Sequence, residues 1–398
     1  MASCAQYSLM DLGGTRRLVT MITPEGRGDF ISQAGEGLAA MQSILRENGA
    51  APVFQTVFLR DAGDQGQCQK LLSAHYGTQI PVTSFVYQPP CTGAALAMEV
   101  WAIGGPSVRI ERFSQGALAV AHDGVRWVYV SGATPGDANP SSGAHAQTIN
   151  ALGRMQDALV NAGSSFENVI RTWFYIGGIT GPDKAGAPGP QRYIELNRAR
   201  AGFYRGVRFC PNVSHPDKFE IYPSSTGIGM KGEGLAASCL AMETGRSDVM
   251  LMPLENPQQT PAYEYSRVYS LKSPKFSRAM ALAMSDYVTI WISGTASILN
   301  SESLYPDDVE KQTEQTIENI ERLISAENFA VHGAQGIRAG LQDLAKVRVY
   351  VKRPEDFARC KAVCDRLLAG VPAIYTVADV CRPELLVEIE GAAFVNRK

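Results

Sequence analysis

The sequence predicts an α+β chain made of tandem units, and three observations point there. A helix, strand, helix and two closing strands recur along the 398 residues. Ser131-Gly132 followed by Gln147-Thr148 returns as Ser293-Gly294 followed by Gln312-Thr313, and between these landmarks Leu152, Met155 and Leu159 align without a gap on Ile317, Ile320 and Ile324. The first unit lacks the alternating crossover pattern of a dinucleotide-binding domain. A repeat this long marks duplicated domains, not a solenoid. Each unit is expected to carry a sheet with helices on one face and its siblings on the other. The expected boundaries are 1–105, a degenerate first unit, then 106–248, and 249–398, which holds the main site residues.

In the first unit a strand is expected near 17–22. A helix follows over 31–48, because Leu38, Met41, Ile44 and Leu45 form one apolar stripe that Gly49 ends. A strand at 53–59, a helix at 65–75, and strands at 84–88 and 95–103 complete it, split by the turn Pro89-Pro90-Cys91-Thr92-Gly93. The second unit reads as a strand at 126–130, a helix at 144–161, a strand at 169–176 and a helix at 192–204. Its closing part holds Ser225-Thr226-Gly227-Ile228-Gly229, read as a turn, and a last strand at 234–242. The glycine- and proline-rich stretch 177–190 is expected as surface loop, with a lid as the competing reading. In the third unit a strand at 288–293, a helix at 308–326, a strand at 344–351 and a helix at 354–368 precede two final strands.

Bulk properties narrow the function. A formal charge of −2 offers no general attraction for nucleic acid or membrane, so an anionic ligand has to be met by local arginines or lysines. No early apolar run resembles a signal peptide and no run is long enough to span a bilayer, so a cytoplasmic protein is expected. The eight cysteines show no paired-knuckle spacing and read as reduced thiols, and the five histidines form no ligating pattern. Neither a metal nor a cofactor is expected.

Chemistry concentrates near the C-terminus, in 374–394. Two-residue alternation there places Leu386, Glu388 and Glu390 on one face of a strand and Val387 and Ile389 on the other. Cys381, Arg382, Glu388 and Glu390 fall within ten residues. That points to a site in which Arg382 holds an anion and a glutamate moves a proton. A solvated sheet edge is the competing reading. The stretch around Tyr263, Tyr265, Tyr269 and Arg278 could bind an anionic, ring-bearing molecule, or could form an interdomain seam.

With these residues in place, the third unit resembles the Rid family, also called YjgF-like. The resemblance lies in its Ser-Gly-Thr strand end, its Gln-Thr helix and the closing run Arg382-Pro383-Glu384-Leu385-Leu386-Val387-Glu388. Rid proteins are α+β trimers like the chorismate mutase barrel, with clefts between subunits. Three fused units imply an intramolecular pseudo-trimer, either monomeric or a low-order homo-oligomer. A sharper resemblance is to the chorismatases, which remove pyruvate from chorismate. It rests on Arg171-Thr172-Trp173, on 192–200, 225–229, 269–279 and 294–298, and on 380–391. It implies that Glu388 is the acid serving the enolpyruvyl ether, that Arg278 and Arg382 hold carboxylates, and that Gly294 and Thr295 line the pocket. Tyr263 and Tyr269 join the expected substrate contacts. Cys381 resembles the branch that makes 3-hydroxybenzoate. Phe174 stands where the family usually has Asn, and Asn300-Ser301-Glu302-Ser303 replaces its usual Gly-His-Glu-Ser. The expected partner is a small anionic cyclic substrate, bound in a single competent cleft. The competing functions are a Rid-type imine or enamine hydrolase and a non-catalytic small-molecule-binding protein.

Overall fold

The computed structural model describes residues 4–133, 142–183, 189–211, 220–265 and 273–397. The first sheet contains β1 (Ala5–Asp11), β2 (Arg16–Ile22), β3 (Ala51–Leu59), β4 (Val82–Val86) and β5 (Leu96–Gly104), with helices α1 (Phe30–Asn48) and α2 (Gln65–Tyr76) between strands. Its order is β1-β2-β5-β3-β4, antiparallel except for β3 with β4. Asp29 caps the first turn of α1 through Ser32 N–H, and Gly49 ends the helix in a left-handed conformation (φ 55°) that suits a residue without a Cβ.

The second sheet comprises β6 (Arg109–Ser114), β7 (Ala117–His122), β8 (Val125–Ala133), β9 (Val169–Gly177), β10 (Ser224–Met230) and β11 (Leu235–Thr244), with α3 (Ala144–Asn161) and α4 (Arg192–Phe203). The third comprises β12 (Met250–Leu254), β13 (Ala279–Ala283) and β14 (Tyr287–Ala296), then the small hairpin β15 (Ile298–Leu299) and β16 (Glu302–Ser303). Helices α5 (Val309–Leu323) and α6 (Ala326–Val331) come next, followed by β17 (Leu344–Val351), α7 (Phe357–Leu367), β18 (Ala373–Val377) and β19 (Val387–Asn396). Orders β10-β9-β11-β8-β7-β6 and β12-β13-β14-β19-β17-β18 repeat that of the first sheet, each with one parallel pair.

The expected tandem α+β architecture is therefore present. Each sheet packs its helices on one face around a core of its own. The opposite faces of all three meet in one shared core that includes Phe54, Trp101, Trp127, Trp173, Trp291 and Tyr350. Charge lies inside this shared core. Glu99 from the first sheet, Arg171 from the second, and Lys346, Arg348 and Glu390 from the third are all buried. Arg348 donates to both oxygens of Glu99 at 2.6 and 2.8 Å, and Lys346 Nζ lies 2.9 Å from Glu390. With Arg171 Nη2, which donates to Glu390 at 2.9 Å, these bonds tie the three sheets together at their centre. Charges at such depth persist only when paired and hydrogen-bonded.

Several expectations change. Strands β1, β6, β7, β12 and β13 are additions to the sequence reading. β6 is a half-exposed edge and β13 is a buried run of Ala and Met, so neither shows a clear two-residue alternation. Ser225–Gly229 is not a turn but lies in strand β10, parallel to β9. The helix expected over 308–326 is two helices, because Ser325 caps a new start through Asn328 N–H. Leu386 does not share a face with Glu388. It lies before β19 begins, its N–H donates to Gln312 Oε1 at 2.8 Å, and its side chain joins Val387 and Ile389 in the helix-side core. The loop 177–190, of which 184–188 lie outside the described residues, is not slack where it is described. Asp183 accepts Ala144 N–H at 2.6 Å at the start of α3, and Thr180 bonds Asp379 of the third unit.

Candidate active site

A cleft of about 280 Å³ opens at the seam between the second and third sheets. Glu388, Cys381, Arg278, Arg382 and Gly294 all line it, so five of the eight expected site residues converge. Tyr269 lies outside the described residues. Thr295 and Tyr263 are not in the lining. A bulge between Ile292 and Thr295 pairs Thr295 with Ile389, which turns it to the helix side, and its hydroxyl donates to Ser293 O at 3.0 Å. Tyr263 is buried behind the wall against the Tyr222 ring, 5.6 Å between centroids, and Tyr265 takes the place at the surface of the cleft.

Gly294, Ala296 and Ile298 reach the cleft at every second position, as a strand requires. Gly294 has a particular reason to lack a side chain. A Cβ there would sit 2.0 Å from Glu388 Oε1, inside contact distance. Gly294→Ala is therefore expected to swing the carboxyl out of place and lower turnover by about 10²-fold, with an unchanged melting profile. Unchanged kinetics would show that the carboxyl has no required position.

Glu388 projects from the start of β19 and is 5% exposed. It accepts no hydrogen bond from any described residue. Burial, then the neighbouring charge of Glu390, push its carboxyl up to about 8 against the pull of Arg171. Glu390, two residues on, has the opposite fate. Burial alone would raise it, but Lys346, Arg348 and Arg171 together hold it far below the usual carboxylate range. It accepts from Arg171 Nη2 at 2.9 Å, Thr226 Oγ1 at 2.5 Å and Trp173 Nε1 at 3.2 Å. One glutamate is thus a neutral acid facing a cleft, and the other a locked anion within the core.

The three sheets are not equivalent here. Each carries a bulge between its central and third strands, opposite Phe54, Arg171 and Lys346. Four residues back from the bulge partner stands Glu388 in the third sheet, Ala236 in the second and Ala97 in the first. Only one of the three pseudo-equivalent positions can supply a proton.

Three guanidinium groups line the same cleft as the acid. Arg278 donates from Nη2 to Thr260 O and to Tyr265 Oη, both at 2.8 Å. Arg382 donates to Ser301 O at 2.9 Å and Ser303 Oγ at 3.1 Å, and lies 5.7 Å from the Tyr265 ring centre. The segment that departs from the family pattern, 300–303, therefore serves as the mount for Arg382. Sequence reasoning missed the third, Arg200 on α4. It is 1% exposed and has no carboxylate within ion-pair reach among the described residues. Its Nη groups bond Ser225 Oγ and Asn197 Oδ1, and its Nε has no partner. Phe174 and Phe276 flank it at 5.8 and 5.5 Å, so the departure at Phe174 supplies a ring for this cation.

Backbone contacts fix the loop that carries Cys381 and Arg382. Gln191 Nε2 donates to Cys381 O at 3.0 Å, and Gly229 N–H donates to Asp379 O at 2.8 Å. Gly229 allows this approach, since a Cβ would meet Asp379 O at 2.6 Å. The Cys381 thiol, pushed up to about 12 by burial and by Glu388, is protonated at neutral pH. It offers bulk and an S–H rather than a thiolate.

Residues 272–395 match the family model described as Endoribonuclease L-PSP. A 3-hydroxybenzoate synthase of Streptomyces hygroscopicus is 34% identical over 298 residues, covering 74% of this chain and 80% of that protein. A chorismatase of Streptomyces rapamycinicus is 33% identical over 282 residues, covering 68% and 77% respectively. The chain belongs to the chorismatase family. A crystal structure of a chorismatase overlays on 96% of this chain and 100% of its own with a TM-score of 0.66, at 22% identity, which establishes the shared fold. Like its relatives, this chorismatase-family chain is an enzyme.

Proposed function

We propose that the cleft removes the enolpyruvyl group of chorismate as pyruvate and leaves 3-hydroxybenzoate. One observation carries this reading: a buried carboxyl, its pKa raised by burial, shares one cleft with three arginines. Chorismate has two carboxylates and one acid-labile enol ether. Arg278, Arg382 and Arg200 supply forked, charge-assisted donors for the carboxylates. Glu388 gives its proton to the terminal methylene carbon, which creates an oxocarbenium ion at the ether carbon. Breaking the bond to the ring then releases pyruvate. The ring carbon that carried the ether then follows one of two courses: the neighbouring hydroxyl oxygen bridges onto it, its original C–O bond opens and the proton on the newly oxygenated carbon is lost to give 3-hydroxybenzoate, or water adds to it and leaves a diol. Aromatisation balances without net water, because chorismate equals pyruvate plus 3-hydroxybenzoate.

Cys381 favours the first course by filling the space beside Glu388 with a neutral thiol. Cys381→Ala is expected to keep pyruvate release within a few-fold while the 3-hydroxybenzoate share falls and a water-addition product appears, read by chromatography. An unchanged product ratio would remove Cys381 from the partition.

The decisive experiment is incubation of the purified protein with chorismate, following pyruvate and aromatic products together. Equal amounts of pyruvate and 3-hydroxybenzoate are expected. No pyruvate from chorismate, with turnover of 2-iminopropanoate instead, would replace this reading with an imine hydrolase. That hydrolase would need neither Cys381 nor Arg278.

A further inference from the structure

Glu255 is a second buried carboxyl, and the reaction above has no use for it. It follows β12 in a connector between Pro253 and Pro257 and is 5% exposed. Its Oε1 accepts the Arg278 main-chain N–H at 3.2 Å, while its Oε2 lies 3.8 Å from Arg278 Nε. Both Oε2 and Nε are shut away from solvent, and neither has a hydrogen-bond partner. An ionised carboxylate beside a guanidinium at this depth would close to hydrogen-bond distance. The open gap is the geometry of a neutral acid behind an arginine that is engaged elsewhere, through Thr260 O and Tyr265 Oη.

Among the described residues, few charged groups face this carboxyl. Arg278 attracts a proton away from it, and Glu264, in the short helix Ala262–Glu264, opposes ionisation. Tyr263 of the same short helix also adjoins it. His332, after α6, accepts Glu255 N–H at its Nε2 at 3.1 Å, and its Nδ1 lies 2.8 Å from Asn328 O. Burial outweighs Arg278 and pushes Glu255 up to about 8.

We infer that Glu255 is a positioning residue for Arg278: protonated, it leaves the guanidinium free for an anion in the cleft, and ionised, it draws Nε back and weakens that grip. The inference rests on the cleft being a carboxylate site. It gives the enzyme a loss of substrate affinity at alkaline pH that is separate from the titration of Glu388.

Two measurements test it, both in the Glu388→Gln background so that Glu388 does not titrate. Isophthalate, an unreactive ring dicarboxylate, is titrated calorimetrically at pH 7 and pH 9. Binding is expected to weaken about tenfold over that interval, and adding Glu255→Gln should flatten the dependence. Equal pH dependence in the two proteins overturns the inference. The second readout needs no ligand: the nitrogen-15 resonance of Arg278 Nε, assigned by its loss in Arg278→Lys. It should shift with a midpoint of about 8 and stay constant once Glu255 is Gln. A flat resonance in both proteins also overturns it. If the resonance titrates while isophthalate fails to bind, the role of Glu255 stands and the carboxylate reading of the cleft falls.

Discussion

Glu388→Gln is expected to lower pyruvate release from chorismate by about 10²–10⁴-fold, the range a positioned general acid supplies. Gln keeps the shape of the side chain and removes the transferable proton, so substrate binding should change far less than turnover. The wild-type rate should fall as pH rises through about 8, because the acid has to be protonated to act. Near-normal turnover in the variant would end the assignment. The same substitution has a predicted effect on stability. The folded-state pKa of Glu388 lies above its unfolded value of 4.5. Between the two, the unfolded chain has lost the proton that the folded chain retains, so this group costs increasing stability as pH rises from 4.5 toward 8. The variant should match wild type at pH 5 and exceed it by about 2–4 kcal/mol at pH 8, measured by urea unfolding at each pH. A variant no more stable at pH 8 would mean that the carboxyl is well solvated.

Glu390→Gln is expected to cost about 3–5 kcal/mol, the usual penalty for removing one member of a buried charge group. Lys346 and Arg348 would then keep only Glu99, and Arg171 would lose its carboxylate partner. The sign of the pH dependence is opposite to that of Glu388. Glu390 has a depressed folded-state pKa, so its contribution is complete above 4.5 and fades as pH falls below that value. The gap between variant and wild type should therefore narrow in acid. Losing the Glu390 charge also leaves Arg171 to pull on Glu388 unopposed, which moves the alkaline limb of the rate profile to lower pH. Denaturant titration and the pH–rate profile together check both effects. A variant as stable as wild type would show that the buried charges do not hold the sheets together.

Much of the site was legible because it is compact in sequence. Cys381, Arg382 and Glu388 occupy a single loop and the strand it enters, and strand alternation alone turns Glu388 and Glu390 to one side. Gly294 and Arg278 were legible through the repeat and the family resemblance. Thr295 was misplaced by one position because the bulge before it resets which residues face the cleft. Arg200 and Glu255 were missed for a shared reason. An arginine in a polar helix and a glutamate between prolines look like ordinary surface charges. What distinguishes them is one buried polar atom each, Arg200 Nε and Glu255 Oε2, left without a hydrogen-bond partner, which is a property of the packed chain.

By itself, the sequence determined the local periodicities, the order of elements, the repeat and the clustering of acid, thiol and cation near the C-terminus. These depend on neighbours along the chain. Only the tertiary structure decided that Glu388 is a neutral acid and Glu390 a fixed anion. Two glutamates on the same strand face differ because Arg171, Lys346 and Arg348, drawn from two sheets, converge on one of them and leave the other to the cleft.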